Sequence, residues 1–266
     1  MGYIAWSHDE KKLCYVAEEK SVAAQSHFSD ARDASSVDGS SATAKANDEE
    51  PIGREYDAVF DFGEAHAGRA NGRLFVVDLN SDGGVKATRQ VAINHALLAG
   101  LSLGAPSFGS DGKLAFVGWP VAPRRLGLAH CFNRRSRCFV ATLGADAAAD
   151  RVALVSGDDE LGARSPRLCR NGDVVYLAVR DANAHSSCSL LRRAAFDGAG
   201  AWRASTTVVD VVLQPTSDDV ANPMSFPGLY VAALPLYPFI RLLQLGFCCC
   251  SIVHIIHFKL LVTLKL

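Results

Sequence analysis

Polar and apolar positions along this chain fall into a phrase that occurs three times: a turn rich in Ser, Asp, Asn and Gly, then a five-residue apolar run. The copies are Trp6-Ser7-His8-Asp9-Glu10-Lys11-Lys12 before 13–17, Phe108-Gly109-Ser110-Asp111-Gly112-Lys113 before 114–118, and Leu168-Cys169-Arg170-Asn171-Gly172-Asp173 before 174–178. Asp-Gly and Asn-Gly accept the positive φ that a tight hairpin demands, and a short apolar run bounded by turn residues suits a buried strand. After each phrase a second apolar run leads through a polar turn into a further strand. These runs are 73–79 before Asn80-Ser81-Asp82-Gly83-Gly84, 138–143 before Gly144-Ala145-Asp146, and Ser189-Leu190-Leu191 before Asp197-Gly198. One unit is therefore about four strands. Antiparallel four-stranded units repeated at roughly 40 to 60 residues predict blades of a β-propeller, each needing a neighbour to bury its faces.

The interval between the first two copies is too long for that spacing. From about Lys20 to Pro51 the chain is Ala, Ser, Asp, Glu and Lys with a single aromatic, Phe28. Such a segment buries too little apolar surface to offset its ordering entropy, and it is expected to be a disordered insertion over 20–52 with a short Ala-rich helix near 22–32. The expected fold is all-β: an incomplete propeller of about three blades over residues 1–240, followed by an apolar tail over 241–266.

With the blades placed, the residues between them follow a particular order: Asp61-Phe62-Gly63-Glu64, Phe116-Val117-Gly118-Trp119, Arg125-Leu126-Gly127, Cys131-Phe132-Asn133-Arg134-Arg135-Ser136, Ser165-Pro166-Arg167-Leu168 and Val208-Val209-Asp210-Val211-Val212. Together they resemble the propeller region of the acylaminoacyl-peptidase family, also called acylamino-acid-releasing enzymes, in the prolyl-oligopeptidase group of serine peptidases. The resemblance runs from about Ile4 to Leu234. It implies a propeller that limits substrate access and docks an α/β-hydrolase domain, the latter removing an N-acylated residue from short peptides by Ser-Asp-His chemistry with no cofactor. A complete ring at these blade sizes needs about 300 residues, with the hydrolase beyond it. The chain is thus expected to open in mid-propeller, to lack the catalytic domain and to be inactive alone, with the hydrolase domain and N-acylated peptides as partners; a homo-oligomer is compatible with this reading.

No catalytic, cofactor or metal residue is assigned. Gly100-Leu101-Ser102-Leu103-Gly104 fits the G-x-S-x-G nucleophile elbow, but that elbow needs a parallel strand before it and a helix after it, whereas Ala105-Pro106-Ser107-Phe108 and a hairpin turn come next. Ser102 is expected to lie in an inter-blade connection. Asp61-Phe62-Gly63 matches a kinase metal loop only as a triplet, with no catalytic or Gly-rich loop to accompany it. Arg124, Arg125, Arg134, Arg135 and Arg137 cluster within one blade and could form a basic patch for an acidic partner or a peptide carboxylate; with Asp146, Asp150, Asp158, Asp159 and Glu160 neighbouring, they are expected instead to form inter-blade or domain-interface ion pairs. A net charge of −1 argues against nucleic acid as a partner.

Cys14, Cys131, Cys138, Cys169 and Cys188 are scattered, with no CxxC spacing, and residues 6–12 are charged where a secretory leader would be apolar. The expectation is reduced thiols in a cytoplasmic protein. The tail run 242–258 is almost wholly apolar and admits three readings. The first is translation of an intron or a shifted frame, the reading adopted. The second is a membrane segment, for which His254 and His257 are costly at depth. The third is a metal site from Cys248, Cys249, Cys250, His254 and His257, which lack any established ligand spacing. A stand-alone propeller-type interaction module, anchored to a membrane by that tail, is the alternative to the peptidase reading.

Overall fold

The computed structural model describes residues 4–18, 62–63, 68–128, 131–157, 162–180, 185, 187–211 and 229–235. The predicted insertion over 20–52, its short helix, the acidic residues 158–160 and the apolar tail over 241–266 lie outside them. Among the described residues twelve strands form three four-stranded antiparallel sheets, each a meander in chain order. The first holds β1 (Ile4–Trp6), β2 (Lys12–Glu18), β3 (Gly72–Leu79) and β4 (Val85–Gln90). The second holds β5 (Leu101–Phe108), β6 (Leu114–Pro120), β7 (Arg137–Thr142) and β8 (Arg151–Leu154), and the third β9 (Gly162–Leu168), β10 (Val174–Val179), β11 (Leu190–Ala194) and β12 (Thr206–Val209). The first strands of successive sheets are neighbours, β1 beside β5 and β5 beside β9. That is the arrangement of a partial propeller, with blades fanned about the side of their first strands.

The recurrent phrase is the hairpin joining the first two strands of each blade. In the second and third copies the turn closes identically: Gly109 N donates to Lys113 O at 2.9 Å and Cys169 N to Asp173 O at 2.8 Å. The residue before each turning point is Asp111 or Asn171, whose Oδ1 accepts from the backbone N–H two residues on, at 3.1 and 3.2 Å. This Asx geometry drives the next residue to positive φ, 78° at Gly112 and 86° at Gly172. In the first copy Asp9 makes the same bond to Lys11 N at 3.2 Å, but Glu10 carries the positive φ of 58° and one extra residue closes the loop. The turn at 80–84, between β3 and β4, repeats the five-residue form, with Gly83 at φ 81° and Asp82 Oδ1 accepting from Gly84 N at 2.9 Å.

Period-two alternation makes the second sheet two-sided. Leu114, Phe116, Phe139 and Ala141 pack with Cys14, Leu74 and Val76 of the first sheet. Ala115, Val117, Cys138 and Val140 point the other way, onto Leu168, Val174, Tyr176 and Ala178 of the third. Both faces are closed to solvent, as a central blade requires. The outer face of the first sheet is less covered: Ile4 and Trp6 are 66% and 56% exposed. The outer face of the third sheet, by contrast, is not bare. Leu229 and Leu234 cover Val175, Leu177 and Leu191 there.

Two first strands carry a proline, which costs a ladder bond and is tolerated only where pairing is already interrupted. Both prolines sit in a bulge. Phe116 faces two residues, Ala105 and Pro106, and Tyr176 faces Ser165 and Pro166. Ala105 and Ser165 take positive φ, 50° and 54°. The extra residue puts Gly104 and Ser107 on one face of the second sheet, and Arg164 and Arg167 on one face of the third. Small residues stand where a neighbouring blade packs; arginines stand where the segment 229–235 crosses. Arg164 donates to Val231 O at 2.9 Å, Ala232 O at 3.3 Å and Ser189 Oγ at 2.6 Å, and Arg167 to Leu234 O at 2.6 Å. Burial pushes both guanidinium groups down to about 10, so they stay charged at neutral pH; their partners are chiefly neutral oxygens and, for Arg164, the Phe132 ring at 4.5 Å, while Arg167 Nε is buried without a hydrogen bond.

The first two blades are joined by an ion pair that corrects the expected one. Asp150, whose side chain is fully buried, binds Arg89 of β4 through two bonds of 2.8 and 3.0 Å. It also accepts from Ala92 N at 2.8 Å and Gly144 N at 2.9 Å. The partner comes from the first sheet, and not from the arginines at 124–137. The reason is geometric: β8 is the outer strand of its blade, and the carboxylate at its start faces the connection between the blades. Asp146 instead caps its own loop, accepting from Ala149 N at 2.9 Å.

Among the described residues the five scattered cysteines form no disulfide, and four of them are buried. Burial pushes Cys14 up to about 12 and Cys169 up to about 11.

Removing one partner of the buried pair leaves the other charge uncompensated, so Asp150→Ala is expected to destabilise the chain by about 3–5 kcal/mol, read from urea unfolding. Cys14 supplies a second test. The unfolded thiol ionises near pH ~8.5 while the folded one holds its proton to about 12. Stability from this group is therefore complete below the unfolded value and is lost as pH rises toward the folded one, by about 1.4 kcal/mol per pH unit. Cys14→Ala should show a shallower decline between pH ~9 and ~11.

Candidate functional site

Where the first and second blades meet, the end of β2, the start of β3, the start of β5 and the end of β6 converge. The chain leaves the first sheet at Glu18 and rejoins it at Gly72, and the two ends of that excursion are tied together. Arg69 Nη1 donates to Glu18 Oε1 at 2.6 Å, and Ala70 N donates to Glu18 Oε2 at 3.2 Å. The Arg69 hydrogen bond, ahead of the other contributions, holds Glu18 below the usual carboxylate range. Both side chains are solvent-accessible, so the pair fixes the neck of the excursion and adds little stability.

Beneath this neck lies a cavity of about 340 Å³, lined by Val16, Phe62, Ser102, Leu103, Trp119 and Leu126. The Arg125 guanidinium stands 5.8 Å from the centre of the Phe62 ring. Close backbone approach shapes the wall: a Cβ on Gly72 would lie 2.5 Å from Leu103 O, so only glycine fits. The Gly72 N–H is spent on Ser102 Oγ at 2.9 Å.

Ser102 is thus an acceptor inside a sheet. It belongs to β5, paired antiparallel with Trp119, and the strand continues to Phe108 and a hairpin turn. The G-x-S-x-G string has neither the parallel strand nor the helix of a nucleophile elbow. The expectation that Ser102 lies in an inter-blade connection is corrected by one strand: the connection ends at Gly100, and Ser102 is the second residue of the blade. Phe62 and Gly63 of the Asp-Phe-Gly triplet are described, and Phe62 serves as cavity wall.

On the other side of Leu103 is a second, polar pocket of about 280 Å³. Arg73, Gln90, Asn94 and His95 line it, with Leu98 at its apolar side. Arg73 Nη1 is anchored to Leu101 O at 2.7 Å. The connection Val91–Ala99 forms its rim and is strained, with Ala92 and Asn94 at φ 46° and 59°. His95 Nδ1 accepts from Leu97 N at 3.3 Å.

Sequence reasoning missed this pocket. Asn94, a residue at ease in the left-handed region, was the one local signal. Arg73 and Gln90 sit within strands and line a pocket together with His95 only once the blades are packed. Among the described residues, no group of three or more His, Cys, Asp or Glu could hold a metal ion, and no helix is long and apolar enough to cross a membrane. The cysteine- and histidine-rich tail lies outside them.

Comparison with known proteins follows the same lines as the fold. Residues 2–245 match the family model described as acylamino-acid-releasing enzyme, N-terminal domain. The acylamino-acid-releasing enzyme of Mus musculus is 34% identical over 242 residues, covering 88% of this chain and 30% of that protein. Those of Homo sapiens and Rattus norvegicus are 34% and 33% identical with the same coverage. The chain therefore spans about a third of the length of these relatives.

If the Ser102 hydroxyl is a structural acceptor, Ser102→Ala strands the buried Gly72 N–H. The expected cost is about 1–3 kcal/mol in chemical unfolding.

Proposed function

Because this chain belongs to the acylamino-acid-releasing enzyme family and matches its N-terminal domain, we propose that it serves as the non-catalytic propeller part of a peptidase that removes N-acylated residues from peptides. In this role it gates access for short peptides and presents a docking surface to an α/β-hydrolase domain that carries the Ser-Asp-His chemistry. The observation that carries the reading is the match over residues 2–245, laid onto three consecutive blades whose first strands lie side by side. A closed ring of blades fanned in this way would enclose a central channel that admits a short peptide and excludes a folded protein. The exposed Ile4 and Trp6 on the first blade offer apolar area for a partner surface. Cysteines that form no disulfide, at Cys14, Cys131, Cys138, Cys169 and Cys188, suit a reducing compartment such as the cytoplasm.

The test has two arms. The purified chain is expected to show no turnover of N-acetyl-alanine p-nitroanilide. Added to a separately expressed α/β-hydrolase domain of the family, it should co-elute in size-exclusion chromatography and bias hydrolysis toward short N-acetylated peptides over long ones by about tenfold, a difference of about 1.4 kcal/mol. Hydrolysis by the chain alone that disappears in Ser102→Ala would overturn the proposal, as would failure to associate.

A further inference from the structure

The cavity beneath the neck at Glu18 and Arg69 is walled mostly by apolar and aromatic side chains, and the charges at its mouth are spent on each other. Glu18 accepts from Arg69 Nη1 at 2.6 Å and from Ala70 N at 3.2 Å. A charged ligand entering here would lose its hydration and meet no unspent counter-charge among the described lining residues.

Two rings line the space, and one hydroxyl with capacity left interrupts it. A Cβ on Gly104 would lie 3.0 Å from Trp119 Cζ3, so the indole rests against bare backbone, and Phe62 supplies the second ring. Ser102 and Trp119 stand directly opposite each other on antiparallel strands, which puts their side chains on one face. Ser102 is 8% exposed, and its Oγ accepts from Gly72 N at 2.9 Å. A hydroxyl has a proton to donate as well as lone pairs to offer. Among the described residues nothing accepts that proton.

We infer that this cavity binds a small uncharged aromatic molecule of two fused rings carrying one hydrogen-bond-accepting oxygen. The ring count follows from volume: an apolar cavity of about 150 Å³ holds one benzene ring, and this one measures about 340 Å³. The rings pack on Trp119 and Phe62, and the oxygen takes the Ser102 proton. Val16 comes from the first blade and Ser102 and Trp119 from the second, so a bound molecule bridges the seam and stabilises the docking of the two blades. The site needs neither a hydrolase domain nor a peptide, and it stands apart from the proposed gating role.

The whole chain is dialysed to equilibrium against 2-acetylnaphthalene, against 2-ethylnaphthalene, which lacks the oxygen, and against 2-naphthoate, which adds a charge. One equivalent of the ketone is expected to bind and to raise the midpoint of thermal unfolding, with 2-naphthoate at least about tenfold weaker. Ser102→Ala should reduce ketone affinity by roughly three- to tenfold and leave hydrocarbon affinity unmoved. Because Ser102 also holds the Gly72 N–H, Leu126→Trp provides a second reading from an exposed position on the cavity wall: circular dichroism unchanged, and binding of ketone and hydrocarbon both lost. No binding of the ketone, 2-naphthoate binding as tightly as the ketone, or ketone affinity unmoved by Leu126→Trp would each overturn the site. An equal change for ketone and hydrocarbon in Ser102→Ala would overturn the part assigned to the hydroxyl.

Discussion

The second sheet cannot exist by itself, and the rest of the molecule follows from that. Its strands alternate apolar side chains on both faces, and burying one face against a single partner would leave the other in water. Phe116 and Phe139, stacked at 5.6 Å, are satisfied by the first sheet, while Val117 and Val140 from the same two strands are satisfied by the third. Each buried side chain of this kind is worth about 1.5–3 kcal/mol relative to exposure. The cohesion therefore runs from blade to blade, and a single blade is not an independent folding unit.

Polar groups are drawn into the seams between blades under the same constraint. Asp150 is fully removed from water and Arg89 partly so, and the carboxylate is tolerated because two further backbone N–H groups complete its coordination. A pair of this kind is weak as a source of net stability but strict about geometry, since any other register leaves a buried charge alone. At the far seam the arginines of β9 solve a related problem with carbonyl oxygens in place of a carboxylate. Their donors fix the path of residues 229–235 across a face that would otherwise expose Val175 and Leu177.

The seam between the first two blades is also where the recognisable chemistry collects. An apolar cavity and a donor-lined pocket lie on opposite sides of Leu103, walled by strands from both blades. Their positions follow from a division of labour: strand interiors are spent on the core, so binding groups are left to strand ends and to the connection at 91–99. Ser102 illustrates how packing decides the use of a side chain. A hydroxyl that fits a catalytic string by spelling is consumed as an acceptor for the one backbone N–H that glycine's close approach would otherwise bury unpaired.

The blade count, the strand order and the hairpin turns were legible in the chain, because each depends on residues adjacent in sequence. Asp111-Gly112 and Asn171-Gly172 encode their turns through an Asx bond spanning two residues, and strands such as 114–118 and 174–178 encode burial through composition. The two prolines three residues before those turns were legible too, as Pro106 and Pro166, but their role as bulges was not. A bulge is defined by the partner strand, and only pairing with Phe116 and Tyr176 showed that Arg164 and Arg167 share a face. Tertiary structure alone matched Asp150 with Arg89 in place of the nearer-seeming arginines, and it alone gathered Arg73 and His95 around one pocket. Both depend on how a seam closes, where distance in sequence carries no information about distance in space and the energy of the match appears only after the apolar faces have docked.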